Sequence, residues 1–178
     1  MTDFDTNFSF QERFFPAVAR LVGPHLIRPA DIEMDRKQAT DYLNLKAADM
    51  RIAARVRRPE YSSFHREFTI RSYCHGFRTE WDKVIEDEMG DWMFYGHATG
   101  KGIEVNPWFL IDLDVLRGLY EDYGDQVIKI KDKPNGDGTR FHVFEPGYLL
   151  RTFGRPIVVA WSFGGKVDAQ TQLFQGAA

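Results

Sequence analysis

Asp41 and Asp49 precede an arginine-rich stretch and Glu67 lies within it, and carboxylates beside guanidinium groups are what a hard divalent cation and a phosphate require. Magnesium or manganese takes oxygen ligands, commonly carboxylates completed by water and a substrate phosphate. It activates a water for attack on a phosphodiester bond. Asp41, Asp49 and Glu67 are therefore the expected metal ligands, with Asp41 and Glu67 also catalytic. Lys83 would orient the water or steady the developing negative charge, and Glu80 would assist it.

The positive charge is local. Between Arg51 and Arg78 there are seven arginines against two glutamates, in a chain of net charge -3. Alternation places Arg51, Arg55 and Arg57 on one face of a strand, and Arg71 lies on the strand after it. Guanidinium forks bind phosphate oxygens in bidentate fashion and stay charged at any working pH, so Arg51, Arg55, Arg57 and Arg71 are the expected nucleic-acid contacts. The plainer alternative is a solvated face whose arginines pair with Glu67, Glu80, Asp82 and Glu86.

Other motifs carry less. Gly96-His-Ala-Thr-Gly100-Lys101-Gly102 lacks the spacing and the hydroxyl of a phosphate loop and reads as a glycine-rich turn. The five histidines show no pair four residues apart, which argues against zinc, and Cys74 reads as a small hydrophobe.

The elements that must position these groups follow from periodicity and punctuation. Phe8 to Val22 has helical spacing, with Pro16 as a kink or late start. Thr40 to Lys46 and Met50 to Arg58 read as a hairpin across Ala47 to Asp49. After a loop over Pro59 to His65, Arg66 to Ser72 is a third strand. Thr79 and Asp82 form a capping box for a helix reaching about Met89, and Asp91 to His97 is a fourth strand. Farther on, Trp108 to Ile111 is a short strand and Asp112 caps a helix through Tyr123. Val127 to Lys131 pairs with Arg140 to Phe144 across the turn Lys133 to Gly138, Pro156 to Trp161 adds a strand, and Lys166 to Ala178 is a tail.

Ala39–Leu45, Ile52–Pro59, Glu67–Ser72 and Thr79–Ile85, in that order, resemble the PD-(D/E)xK nuclease-like core, including proteins of that kind carried by phages and mobile elements. The resemblance covers about residues 8 to 97. It implies a restriction-endonuclease-like αβββαβ core that holds magnesium and cuts DNA or RNA, with DNA the expected partner ahead of RNA. Asp41 matches the first acid, with Thr40-Asp41 in place of Pro-Asp. For the acidic-x-Lys element, Met50 to Arg58 would offer Arg55 and Arg57. Arg66 to Ser72 would offer Glu67 with Thr69 where lysine belongs, leaving Lys83 to supply the ammonium from the helix.

The length of 178 residues and 15% aromatic content predict one folded α/β domain (1–178): a nuclease-like core over 8–97, an α/β extension over 98–165 and a flexible tail over 166–178. A single cysteine, no apolar run of roughly 18 residues and an acidic start at Asp3 and Asp5 predict a cytoplasmic protein without a membrane partner. The expectation is thus a nuclease or nuclease-like protein using Mg2+ or Mn2+. The rival is a non-catalytic nucleic-acid- or protein-binding module with the same arginine face, and a homodimer would give the aromatics a further use.

Overall fold

A computed structural model describes residues 9–29, 42–44 and 50–162. Asp41, Asp49, the Ala47 to Asp49 turn and the tail from Lys166 lie outside the described residues.

The chain is a mixed α/β structure. In chain order it forms α1 (Phe15–Val22), β1 (Ile27–Pro29), β2 (Tyr42–Asn44), β3 (Ile52–Arg57), β4 (Phe68–Tyr73), α2 (Glu80–Ile85), β5 (Trp92–Ala98) and β6 (Val105–Asp112). These are followed by α3 (Leu113–Tyr123), β7 (Ile130–Pro134), β8 (Arg140–Phe144), α4 (Pro146–Phe153) and β9 (Val158–Ser162). A four-stranded sheet has the order β3-β5-β6-β9, a three-stranded sheet has the order β4-β8-β7, and β1 pairs with β2. Among the described residues β3 and β5 run parallel and the other ladders are antiparallel.

The pairing corrects the expected hairpin. Among the described residues β2 pairs with β1, whereas β3 lies parallel to β5, and β4 belongs to the other sheet. The reason is burial: Val56 and Ile52 on one face of β3 pack into the same apolar cluster as Trp92, Phe94 and α1. Alongside the fully buried β5, that face of β3 is covered by α1 and so leaves water. On its other edge β3 meets Gln11, whose side-chain amide donates to the Val56 carbonyl at 2.7 Å and accepts from the Val56 N–H at 2.7 Å, much as a neighbouring strand would.

The four-stranded sheet separates two cores. On one face Phe14, just before α1, and Val18 and Val22 of α1 meet Phe94, Trp108 and Leu110. On the other, Met93, Tyr95 and Ile111 meet Phe68, Phe144 and the helices α2, α3 and α4. Pro16 starts α1 after a short helical turn over 9–12, in line with its missing N–H.

The helix termini follow their expected chemistry. Thr79 accepts from the Asp82 N–H at 3.2 Å while Asp82 accepts from the Thr79 N–H at 2.7 Å. The helix α2 is shorter than expected, ending at Ile85, because Glu88 and Met89 both donate to the Lys83 carbonyl and Asp87 and Gly90 take positive φ. Asp112 caps α3 through the Val115 N–H at 3.1 Å, and α3 ends at Tyr123. No helix among the described residues is long and apolar enough to cross a membrane.

Candidate functional site

The structure sends the expected site residues to different places. Glu67 accepts from the Lys129 ammonium at 2.7 Å, and the same ammonium donates to Glu145 at 2.6 Å. Hydrogen bonds to Glu145 and Glu67 hold the Lys129 amine above its ordinary range. Arg51 turns to the far end of β3, where it pairs with Asp91 at 3.1 Å and Asp87 at 3.2 Å. Lys83 is an exposed residue of α2.

Arg55 and Glu80, expected as phosphate clamp and helper, form an ion pair with each other. Arg55 also donates to the Thr69 carbonyl at 3.1 Å, and the second Glu80 oxygen accepts from the Arg71 N–H at 3.0 Å. Burial works to raise the Glu80 carboxyl, but the Arg55 charge and the Arg71 N–H outweigh it and hold it below the usual range. This group ties β3 in one sheet to β4 in the other. The Arg71 guanidinium lies 5.8 Å from the Phe141 ring, with its Nε buried and without a hydrogen-bond partner.

These placements decide how well the described residues suit magnesium. Glu67 is committed to an ammonium and Glu80 to a guanidinium, and no group of three or more His, Cys, Asp or Glu side chains among the described residues could hold a metal ion. The described donor set does not fit the ion, because carboxylates neutralised by organic cations do not offer it the open oxygens it requires.

What the structure does assemble is a cleft of ≈ 230 Å³ where β3 and β5 face β4, β8 and β7, with the turn Pro59–Phe64 alongside. Arg57, Glu67 and Thr69 line it, together with residues to which the sequence reading gave no ligand role, His97, Tyr61 and Phe64 among them. Arg57 stands 4.3 Å from the Tyr61 ring centroid, and Lys133 4.9 Å from that of Phe64. Both are cation–π distances, and they leave the charges beside aromatic faces.

Local sequence explains the geometry. Arg57 and His97 are register partners in the parallel pair, and alternation turns both toward the cleft while Val56 and Gly96 face the opposite core. Gly96 permits a close approach there: a Cβ would sit 2.5 Å from Val105 Cγ1 and 3.1 Å from Trp108 Cβ. Lys133 lies near the end of β7, just before the hairpin turn in which Asp137 accepts from both the N–H and the hydroxyl of Thr139 and Gly138 donates to the Asn135 carbonyl at 3.1 Å.

His97 is the most unusual group in the cleft. It is 1% exposed, yet among the described residues neither ring nitrogen has a hydrogen-bond partner. Burial, with the Arg57 and His65 charges adding to it, pushes its pKa down to about 4. The ring is therefore neutral at ordinary pH and presents one N–H donor and one acceptor. Thr69 and Tyr95, also in the cleft, satisfy each other through their hydroxyls at 3.2 Å.

A survey for paired metal ligands passes over His97, although a polar residue inside the otherwise apolar Trp92–Ala98 marked the position. No family model, curated protein or solved structure matches this chain.

Proposed function

We propose that this chain binds single-stranded nucleic acid in the cleft beside β3 and β5, without a metal and without cutting the strand. The observation that carries this reading is the buried, unpartnered His97 in a cleft that also holds Arg57, Lys133 and aromatic rings. Strand-binding surfaces combine cations that follow the phosphates with aromatic faces that receive bases, and a duplex would keep those faces stacked away. Arg57 is the member of the expected arginine set that lines the cleft, whereas Arg51 and Arg55 are engaged by acids of their own chain.

The test is fluorescence anisotropy with a labelled single-stranded DNA across a salt series, in EDTA and in Mg2+ or Mn2+. The expected result is affinity that falls with salt, weakens on Arg57→Ala and Lys133→Ala, and is indifferent to EDTA. Absence of binding would overturn the reading. Metal-dependent cleavage abolished by Glu67→Gln would replace it with hydrolysis on a restriction-endonuclease-like core, with Asp41 and Asp49 joining Glu67 around the ion.

A further inference from the structure

We infer that the cleft is a slot for one unstacked nucleobase, whose hydrogen-bonding edge is read by His97. This inference rests on the single-strand reading above and adds what that strand places in the cleft.

Depth within the cleft follows from exposure. Tyr61 and Phe64 are 39% and 47% exposed, whereas Tyr95, His97 and Val143 are no more than 2% exposed. The exposed rings form the mouth, and the buried residues form the floor. Arg57 and Lys133 lie against the two mouth rings, so phosphates passing the rim would meet positive charge while a base points inward.

The floor has an unmet hydrogen-bonding need. Thr69 and Tyr95 are mutually satisfied, but His97 has a donor and an acceptor without partners. A nucleobase edge presents donors and acceptors side by side on a flat ring, which complements a neutral imidazole at the end of an aromatic-walled slot. The volume of ≈ 230 Å³ lies below the roughly 300–1,000 Å³ typical of pockets for drug-sized ligands, and it suits a single heterocycle better than a base pair.

The experiment compares the full chain's affinity for a labelled oligodeoxyadenylate with that for a charge-matched strand of the same length lacking every base. Deoxyadenosine monophosphate serves as a competitor. The intact strand should bind about tenfold tighter. His97→Phe, which keeps a ring in the same space but cannot hydrogen-bond a base edge, should lower that preference severalfold, and His97→Gln should retain more of it.

Equal affinity of the wild type for both strands would overturn the slot while leaving phosphate-directed strand binding intact. Failure of both strands to bind would overturn the slot and the strand reading together. Free mononucleotide binding as tightly as the strand would overturn the strand as the source of the base. An unchanged preference in a folded His97→Phe variant, with an unaltered circular dichroism spectrum, would overturn the role of the imidazole.

Discussion

Glu80 and Arg55 hold the two larger sheets together. Arg55 projects from β3, and Glu80, at the start of α2, accepts from it while its second oxygen takes the Arg71 N–H of β4. Their side chains are 30% and 18% exposed, sheltered enough for the loss of one charge to leave the other poorly solvated. Glu80→Ala should therefore cost roughly 3 kcal/mol in urea denaturation. Pairing Glu80→Leu with Arg55→Met should recover much of that loss. A single-mutant cost below about 0.5 kcal/mol would place the pair among ordinary surface contacts.

Acid should act on the fold through His97. The folded pKa of about 4 lies below the ordinary 6.5, so the unfolded chain takes up this proton first. Stability is then whole above about pH 6.5 and declines toward pH 4, by up to about 3 kcal/mol. Glu80, whose carboxyl is depressed, contributes stability above its ordinary value of 4.5 that is lost as pH falls through its folded value. Denaturation curves of the wild type and His97→Phe across this range should diverge between pH 6.5 and 4, with the variant flatter. Parallel curves would show that the imidazole is not held neutral.

His97→Phe should also be no less stable than the wild type at neutral pH, since it removes buried polar atoms that lack partners. A thermal scan checks this directly. Markedly lower stability would mean that the nitrogens are satisfied in solution.

Gly96→Ala should destabilise the protein by about 1–3 kcal/mol, because the added methyl meets Val105 Cγ1 at 2.5 Å in a packed core. Val105→Ala in the same chain should offset part of the clash. A neutral Gly96→Ala in denaturant titration would mean that β6 yields at little cost.

Salt dependence separates the cleft cations from the paired ones. Lys133→Ala should lower the slope of log affinity against log salt for single-stranded DNA by about 0.7. Lys131→Ala should leave that slope unchanged, because Lys131 pairs with Asp125 and does not line the cleft. Equal effects would point to diffuse attraction in place of a defined path.

Much of this architecture was legible locally. The alternation of β3 put Arg55 and Arg57 on one face, the Thr79 and Asp82 box and the Asp112 cap placed two helix starts, and Lys133 to Gly138 marked a hairpin turn. The helix α4 escaped notice although Pro146 and Gly154 bracket it in the usual order of start and stop. Strand partners were the harder matter. A short gap suggested that β2 and β3 pair, but the choice depends on which faces must leave water, and β5 lies forty residues on from β3, as in the pair Ile52 and Trp92.

Side-chain partners were hard to assign for the same reason. Arg55 and Arg78 are engaged by Glu80 and Glu86, two of the acids that the plainer reading of the arginine face names, whereas Asp91, the partner of Arg51, lies outside that set. The His97 position becomes informative only when the parallel register sets it beside Arg57.

All seven residues of β5 are buried, and they face two different interiors. Tyr95 and His97 line the cleft from within this strand, and their neighbours along it are packed in the two cores, which leaves it little freedom to adjust chemistry alone. Tyr61, Phe64 and Lys133 project from outer segments and can be exchanged without unpacking anything deep. Substitutions that retune the chemistry of the cleft are accordingly borne more readily at the rim than on the inner strand.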